Sequence, residues 1–194
     1  MEDIKLDSDA NLMDKVAQGD LPAFSELLSR YQSPIFNFIY RTLSDYEEAQ
    51  DLTQEVFLRV YTTAKRYKPL AKFTTYLFKI ARNLCLNNLR KRHRFRLFSL
   101  DKEEEIAEIQ APDSNSPEVV YDKKEVSILI EGALASLPEN QRMAVVLQRF
   151  HHLSYQEMAE VMECSISSVE SLLFRARQNL KTRLSASFLD NRCL

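Results

Sequence analysis

Apolar residues recur along this chain at three- and four-residue spacing, the period of a helix with one buried face. Asp20 stands where it can cap a helix, Pro22 fits the first turn, and Phe24, Leu27, Leu28 and Tyr31 form its stripe. Ser33-Pro34 repeats the start signal, so a new helix is expected there, with Ile35, Phe38 and Ile39 on one face. Asp45 caps a third helix running to about Thr63. Its core stripe is Ala49, Leu52, Val56 and Val60, while Phe57, Leu58 and Tyr61 project elsewhere beside Asp51, Gln54 and Glu55. Such a helix is either buried on two sides or carries an apolar, acidic surface that docks a partner protein. A polar link, Lys65 to Leu70, precedes a helix from about Lys72 to Arg94, with Phe73, Leu77, Ile80, Ala81 and Leu84 on one face. Further on, Val126, Leu129, Ile130, Ala133, Leu134 and Leu137 make an unbroken helical stripe, and Pro138 opens the next helix, with Met143, Val146, Leu147 and Phe150 inward.

The last pattern is the most specific. Ser154 caps a short helix, with Glu157 at capping-box spacing and Tyr155, Met158, Ala159 and Met162 inward. A break near Glu163 to Ser165 leads to a longer helix, with Ile166, Val169, Leu172, Leu173, Ala176 and Leu180 inward. Two helices across a turn of three or four residues describe a helix-turn-helix. The outward face of its second helix carries Ser167, Ser171, Phe174, Arg175, Gln178 and Lys181. An exposed Phe suits a thymine methyl, Ser and Gln reach base edges, and Arg and Lys bind phosphate or guanine. A helical hairpin whose Phe174 packs on a neighbouring element is the structural alternative.

Composition agrees with an all-α chain: two Gly and six Pro among 194 residues leave little material for tight β-turns, and 45% hydrophobic residues support a real core. Charge changes the picture more. The net charge of −2 conceals opposed blocks, −8 over residues 1–55, +12 over 56–100, −6 over 101–125 and zero over 126–194. Residues 56–100 hold twelve Lys and Arg and no acid. On the helix from Lys72 to Arg94 they gather with Thr75, Lys79, Arg82, Asn83, Arg90 and Arg94 on one face, Asn87 beside it. A merely solvated face mixes both signs; this one predicts a polyanion, nucleic acid first. The acidic stretch from Ser99 to about Tyr121, with DSNSP at 113–117, reads as a flexible linker between two domains, of a charge that suits it to lie across the basic helix when DNA is absent.

Catalysis finds no support. Gly19 and Gly132 cannot form a phosphate loop, and Cys85, Cys164 and Cys193 form no CxxC pair, so neither a zinc site nor a disulfide framework is suggested. His151-His152 reads as part of a surface turn. No cofactor is expected. The acidic, polar N-terminus is unlike a signal peptide, and no apolar run approaches a membrane span, so a cytoplasmic protein is expected.

Taken together these residues resemble the extracytoplasmic-function group of bacterial RNA polymerase sigma factors over nearly the whole chain. AQDLTQEVFLRVY (49–61) is similar to the core-polymerase-binding helix, FTTYLFKIARNLCLNNLRKR (73–92) to the segment that melts and reads the promoter −10 element, and residues 137–180 to the region that reads the −35 element. The resemblance implies two small helical domains, region 2 over residues 1–96 and a region 4 helix-turn-helix over 125–194, joined by a flexible acidic linker over 97–124. It implies that Asp51, Gln54, Glu55, Phe57 and Leu58 dock the clamp helices of the largest polymerase subunit, with a further contact at the flap region. Lys79, Arg82, Asn83, Asn87 and Arg90, with Phe73 and Tyr76, would meet −10 DNA. Ser167, Ser171, Phe174, Arg175, Arg177 and Gln178 would meet −35 DNA. An anti-sigma factor and a chain that is monomeric when free of partners are implied too. Tyr76 stands where the family often has Trp, the loop before it lacks the usual Gly, and Glu163 occupies a turn position that favours Gly or Asn. Two other classes fit some features. A sigma-like decoy that sequesters an anti-sigma factor would have an eroded basic helix. A conventional helix-turn-helix regulator would bind promoter DNA without polymerase.

Overall fold

The computed structural model describes the backbone of residues 4–100 and 129–190 and the side chains of residues 8–95 and 129–184. Among these residues every regular element is a helix, in keeping with the all-α expectation. In chain order they are α1 (Ile4–Ala17), α2 (Leu21–Leu43), α3 (Tyr46–Thr63), a single 3₁₀ turn (Ala64–Arg66), α4 (Phe73–Leu100), α5 (129–135), α6 (Glu139–Phe150), α7 (Tyr155–Met162) and α8 (Ile166–Asp190).

Local chemistry sets most boundaries. Gly19 turns the chain out of α1 at φ 92, and Asp20 then accepts a 3.0 Å hydrogen bond from the Ala23 amide to start α2. Asp45 does the same for α3, accepting from the Glu48 amide at 3.1 Å. Two expectations change. No helix begins at Ser33-Pro34, because α2 runs through Pro34 without a break. Proline costs α2 one backbone donor, but Leu27 before it and Ile35, Phe38 and Ile39 after it are all fully buried, and that shared packing holds both halves on one axis. The basic helix extends to Leu100, beyond the expected end at Arg94 and four residues into the stretch read as linker. The rest of that linker, and Val126, lie outside the described residues. Leu129 and Ile130, expected inward, are exposed, whereas Leu134 and Leu137 of the same stripe are buried.

α1 to α4 form one lobe and α5 to α8 a second. They are packed on each other, α4 against α7 and α2 against α6. Phe38 of α2 meets Phe78 of α4 edge-on at 5.5 Å. His151, which follows α6, lies 4.7 Å from Phe78 and 6.1 Å from Phe38. Beside it the Arg41 guanidinium sits 4.0 Å over the Phe150 ring, and Arg142 donates at 2.7 Å to the Thr42 carbonyl. His151 is therefore part of the seam between lobes and not of a surface turn. Its position in sequence, beside an exposed His152 at φ 54, gave no sign of this.

Burial pushes the His151 pKa down to about 4, and the neighbouring Arg41 and His152 act in the same direction. The neutral imidazole is the form the seam accepts. The unfolded chain therefore binds the extra proton between pH 6.5 and about 4, and stability falls as pH drops through that window. The loss attributable to His151 is on the order of 1–3 kcal/mol. Urea unfolding between pH 7 and 5, above the carboxylate range, measures it. A His151→Leu chain should lose most of that slope, and equal slopes in both chains would refute the assignment.

Candidate nucleic-acid interface

The basic face of α4 begins behind an aromatic platform. Tyr67, whose backbone is extended at φ −62 and ψ 135, sets its ring tilted 5.0 Å from Tyr76 and edge-on 6.1 Å from Phe73, and Tyr31 closes the group 5.4 Å from Phe73. The Tyr76 hydroxyl is 2.7 Å from the Thr63 hydroxyl. Phe73 is only 4% exposed, so it belongs to the core and is not placed to stack on a base. Helical periodicity assigned it to the apolar face, and that assignment prevails. Thr75, expected on the basic face, is buried as well. Tyr76 is half-buried and is the aromatic that remains accessible at this end of α4.

The basic residues of α4 differ in their surroundings. Arg90, with the neutral Asn87, is exposed along its second half. Nearer its start the cations are engaged by the other lobe: Lys72 lies 3.0 Å from Glu157, Lys79 2.8 Å from Glu163, and Arg82 3.6 Å from Glu163. Arg82 also donates to the Asn83 side chain at 3.2 Å. The acids expected over this helix were those of the linker; the described contacts near its start come from α7 and its turn. Arg92 is tied to Asp45 at 2.6 Å and Asn88 to Glu48 at 2.6 Å, which fixes α4 against the first turn of α3.

The helix-turn-helix forms as its caps predict. The Ser154 hydroxyl accepts from the Glu157 amide at 3.3 Å, and the Glu157 carboxylate accepts from the Ser154 amide at 2.8 Å. Glu163 ends α7 in the left-handed region at φ 54 and ψ 46, and the Cys164 amide returns to the Ala159 carbonyl at 3.0 Å. Ser165, a cap not identified from sequence, accepts from the Ser168 amide at 3.2 Å and starts α8. Val169, Leu173 and Ala176 are buried where α8 packs on α7 and α6, and Val161 of α7, which the sequence pattern left unassigned, is buried too. Ile166, expected inward, is half exposed because the first turn of α8 faces a cleft towards α4. Ser167, Ser171, Phe174, Arg175, Arg177 and Gln178 are all exposed, Phe174 to 61%.

A separate surface runs between α2 and α3. Leu21, Phe24, Leu28, Leu58 and Tyr61 line an apolar groove of about 370 Å³, with Gln54 on its rim. Phe24 and Tyr61 meet edge-on at 5.2 Å. Asp51 and Gln54 are exposed, Leu58 is 57% exposed, and Glu55 is paired with Arg59 at 2.8 Å. Phe57 does not project outward as expected. It is 3% exposed and closes the groove floor, because α3 packs on both α2 and α4 and needs apolar residues over a wider arc than one stripe. Among the described residues no helix is long and apolar enough to cross a membrane, and no cluster of His, Cys, Asp or Glu could hold a metal ion.

Known proteins resemble the chain in both lobes. Residues 27–95 match the family model for Sigma-70 region 2, and residues 127–180 match that for Sigma-70, region 4. The RNA polymerase sigma-H factor of Pseudomonas aeruginosa is 34% identical over 183 residues, covering 92% of this chain and 94% of its own. The ECF RNA polymerase sigma factor SigW of Bacillus subtilis is 30% identical over 177 residues, covering 88% and 93%. The fold is shared with the sigma factor RpoE of Bartonella quintana, solved in complex with the anti-sigma factor NepR, at a TM-score of 0.65 and 24% identity over 84% of this chain and 96% of that one.

The capping box has a direct consequence. Ser154→Ala removes the hydroxyl that accepts from the Glu157 amide, leaving the backbone bond to the Glu157 carboxylate, and should cost about 1 kcal/mol of stability. Urea unfolding of the variant measures it. An unchanged midpoint would mean that contacts other than the cap hold the start of α7.

Proposed function

The chain belongs to the extracytoplasmic-function group of RNA polymerase sigma factors and directs promoter-specific transcription initiation, and from that premise we propose how its surfaces divide the work. Residues 1–100, to the end of α4, bind core polymerase and the −10 element, the stretch from there to 124 acts as the linker, and 125–194 read the −35 element. The groove between α2 and α3 takes an apolar edge of the clamp helices, with Leu58 as its anchor and Asp51, Gln54 and Glu55 as its polar rim. Phe57 supports that surface from below. Lys79, Arg82, Asn83, Asn87 and Arg90 meet −10 DNA, and Tyr76 is the aromatic available to a splayed base. Ser167, Ser171, Phe174, Arg175, Arg177 and Gln178 enter the −35 major groove. The single observation that carries this reading is the exposed Phe174 among polar and basic residues on the outer face of α8, an arrangement that the packing of the described residues does not use.

Two weak DNA-binding modules joined by a tether become a specific reader once polymerase fixes their separation, because the second contact is then intramolecular. Phosphate contacts supply most of the affinity, and each good base contact supplies about 1–3 kcal/mol of discrimination. The chain acts as a DNA-binding initiation factor, monomeric when free, in the cytoplasm where the polymerase works. RNA synthesis belongs to the polymerase. Control by an anti-sigma factor is supported by the complex in which the Bartonella quintana sigma factor was solved.

Run-off transcription with core polymerase on genomic DNA, followed by start-site mapping, tests the whole; absence of polymerase-dependent transcripts would refute it. Phe174→Ala and Arg175→Ala should each weaken promoter binding by the holoenzyme about 5- to 100-fold and leave polymerase affinity intact. Wild-type footprints from both would remove α8 as the reading helix. Leu58→Ala and Gln54→Ala should lower polymerase affinity by at least about fivefold without lowering the melting temperature. A lowered melting temperature at unchanged affinity would return that face of α3 to a purely structural role.

A further inference from the structure

The outer face of α8 is sorted by charge along its length. The four bases of the helix, Arg175, Arg177, Lys181 and Arg183, all lie beyond Phe174. Residues 166–174 hold no Lys or Arg, and their one charged residue is Glu170. In a helix-turn-helix the first turns of the second helix approach base edges, and phosphates are met largely by other parts of the protein. The base-reading end of α8 thus presents a carboxylate to a polyanion.

Glu170 is exposed and has no ion pair or hydrogen bond among the described residues. Other exposed acids on helices are matched one turn on: Glu26 meets Arg30 at 2.9 Å and Glu55 meets Arg59 at 2.8 Å. One turn to either side of Glu170 stand Ile166, Ser167, Leu173 and Phe174, none of them a cation. Nor does Glu170 start the helix. It stands in the second turn of α8, and the cap is Ser165, which accepts from the Ser168 amide at 3.2 Å.

Major-groove chemistry offers this carboxylate one good partner. Guanine shows O6 and N7 there and thymine shows O4, all acceptors that repel it. Adenine shows its amino group beside the N7 lone pair, a pairing that an amide matches bidentately and a carboxylate does not. Cytosine shows the N4 amino group with no acceptor beside it. Away from such a donor the charge faces phosphate and base acceptors uncompensated, so it penalises the wrong site as well as favouring the right one.

We propose that Glu170 is a specificity-determining residue of the −35 module, accepting a hydrogen bond from the N4 amino group of a cytosine. The inference rests on the reading that the outer face of α8 enters the −35 major groove. Phe174 follows four residues on, roughly 6 Å along the helix axis or about two base steps. The thymine methyl that it suits therefore falls within about two base pairs of that cytosine.

The experiment uses holoenzyme assembled from the full chain and core polymerase, on a promoter found by run-off mapping and on a set in which each −35 base pair is replaced in turn. For the wild type, replacing one C·G pair should weaken binding about 5- to 100-fold. Glu170→Ala should cut that ratio to below about twofold and leave the ratios at the other pairs as they were. Glu170→Gln should come to favour A·T at the same position, because its amide pairs with adenine through N6 and N7. That gain requires a folded module, so a folding defect in either variant cannot imitate it. A promoter carrying pyrimidin-2-one, a cytosine without its amino group, should bind the wild type as weakly as a replaced pair does. Equal ratios in the wild type and Glu170→Ala, or a change of affinity shared equally by every promoter, would overturn the proposal and leave Glu170 a solvated charge. Footprints of Phe174→Ala and Arg175→Ala separate the two ideas. If both have wild-type strength, α8 is not the reading helix and the proposal falls with it. If both are weakened while Glu170→Ala keeps every ratio, the role of Glu170 alone falls.

Discussion

The aromatic seam at Phe38, Phe78 and His151 is the contact on which the arrangement depends. Each lobe has four α-helices among the described residues, and a small lobe cannot bury every apolar face it carries. α2 and α4 therefore spend one face on their own lobe and another on the opposite one. Ile39 and Leu77 serve the interior of the first lobe, while Phe38 and Phe78 continue the packing as far as α6. Ordinary hydrophobic burial thus brings α7 within reach of α4, and the ion pairs across that junction are a result of the seam more than its cause. This order matters because apolar burial is indifferent to salt whereas the exposed pairs are screened by it. Ionic strength can loosen the electrostatic layer and leave the aromatic layer intact.

Features encoded within a few residues were legible in the sequence. Asp20, Asp45 and Ser154 announced their helices because capping is a short-range hydrogen bond between a side chain and an amide three residues on. The outer face of α8 was legible for a similar reason, since periodicity alone separates Val169, Leu173 and Ala176 from Phe174 and Arg175. The errors share a different origin. Pro34 looked like a helix start because the packing that carries α2 through it comes from other helices. Phe57 and Thr75 looked exposed because one stripe was allotted to helices that contact neighbours on two sides. His151 looked like a surface residue because its partners lie more than seventy positions away in the chain. Phe73 was read both as a core residue and as a base-stacking one, and only its surroundings decided between them.

The electrostatics follow the same division. Counting charges by block located the basic segment and its lack of internal acids, but assigned its partner to the nearest acidic stretch in sequence. The described partners are Asp45, Glu48 and Glu55 from the block before it, and Glu157 and Glu163 from a block whose net charge is zero. A balanced total had concealed local sorting: three of its seven acids sit on α7 and its turn, and four of its seven bases on α8. Glu163 carried the one available clue, a side chain where a left-handed turn prefers none or a short amide.

Arg142 adds a point about tolerance to change. Its guanidinium joins the lobes by donating to backbone carbonyls, that of Thr42 in the last turn of α2 and those of Ala135 and Leu137 beside its own helix. Carbonyls at a helix C-terminus have no intrahelical donor and exist whatever residue stands there. The junction is thus written into only one of its two sides. Position 42 can vary with the interior around it while the acceptor persists, but at position 142 even Lys, with its single compact ammonium, could not span three divergent oxygens. Mutational tolerance across this latch should be lopsided, broad on the helix that accepts and narrow at the single residue that donates.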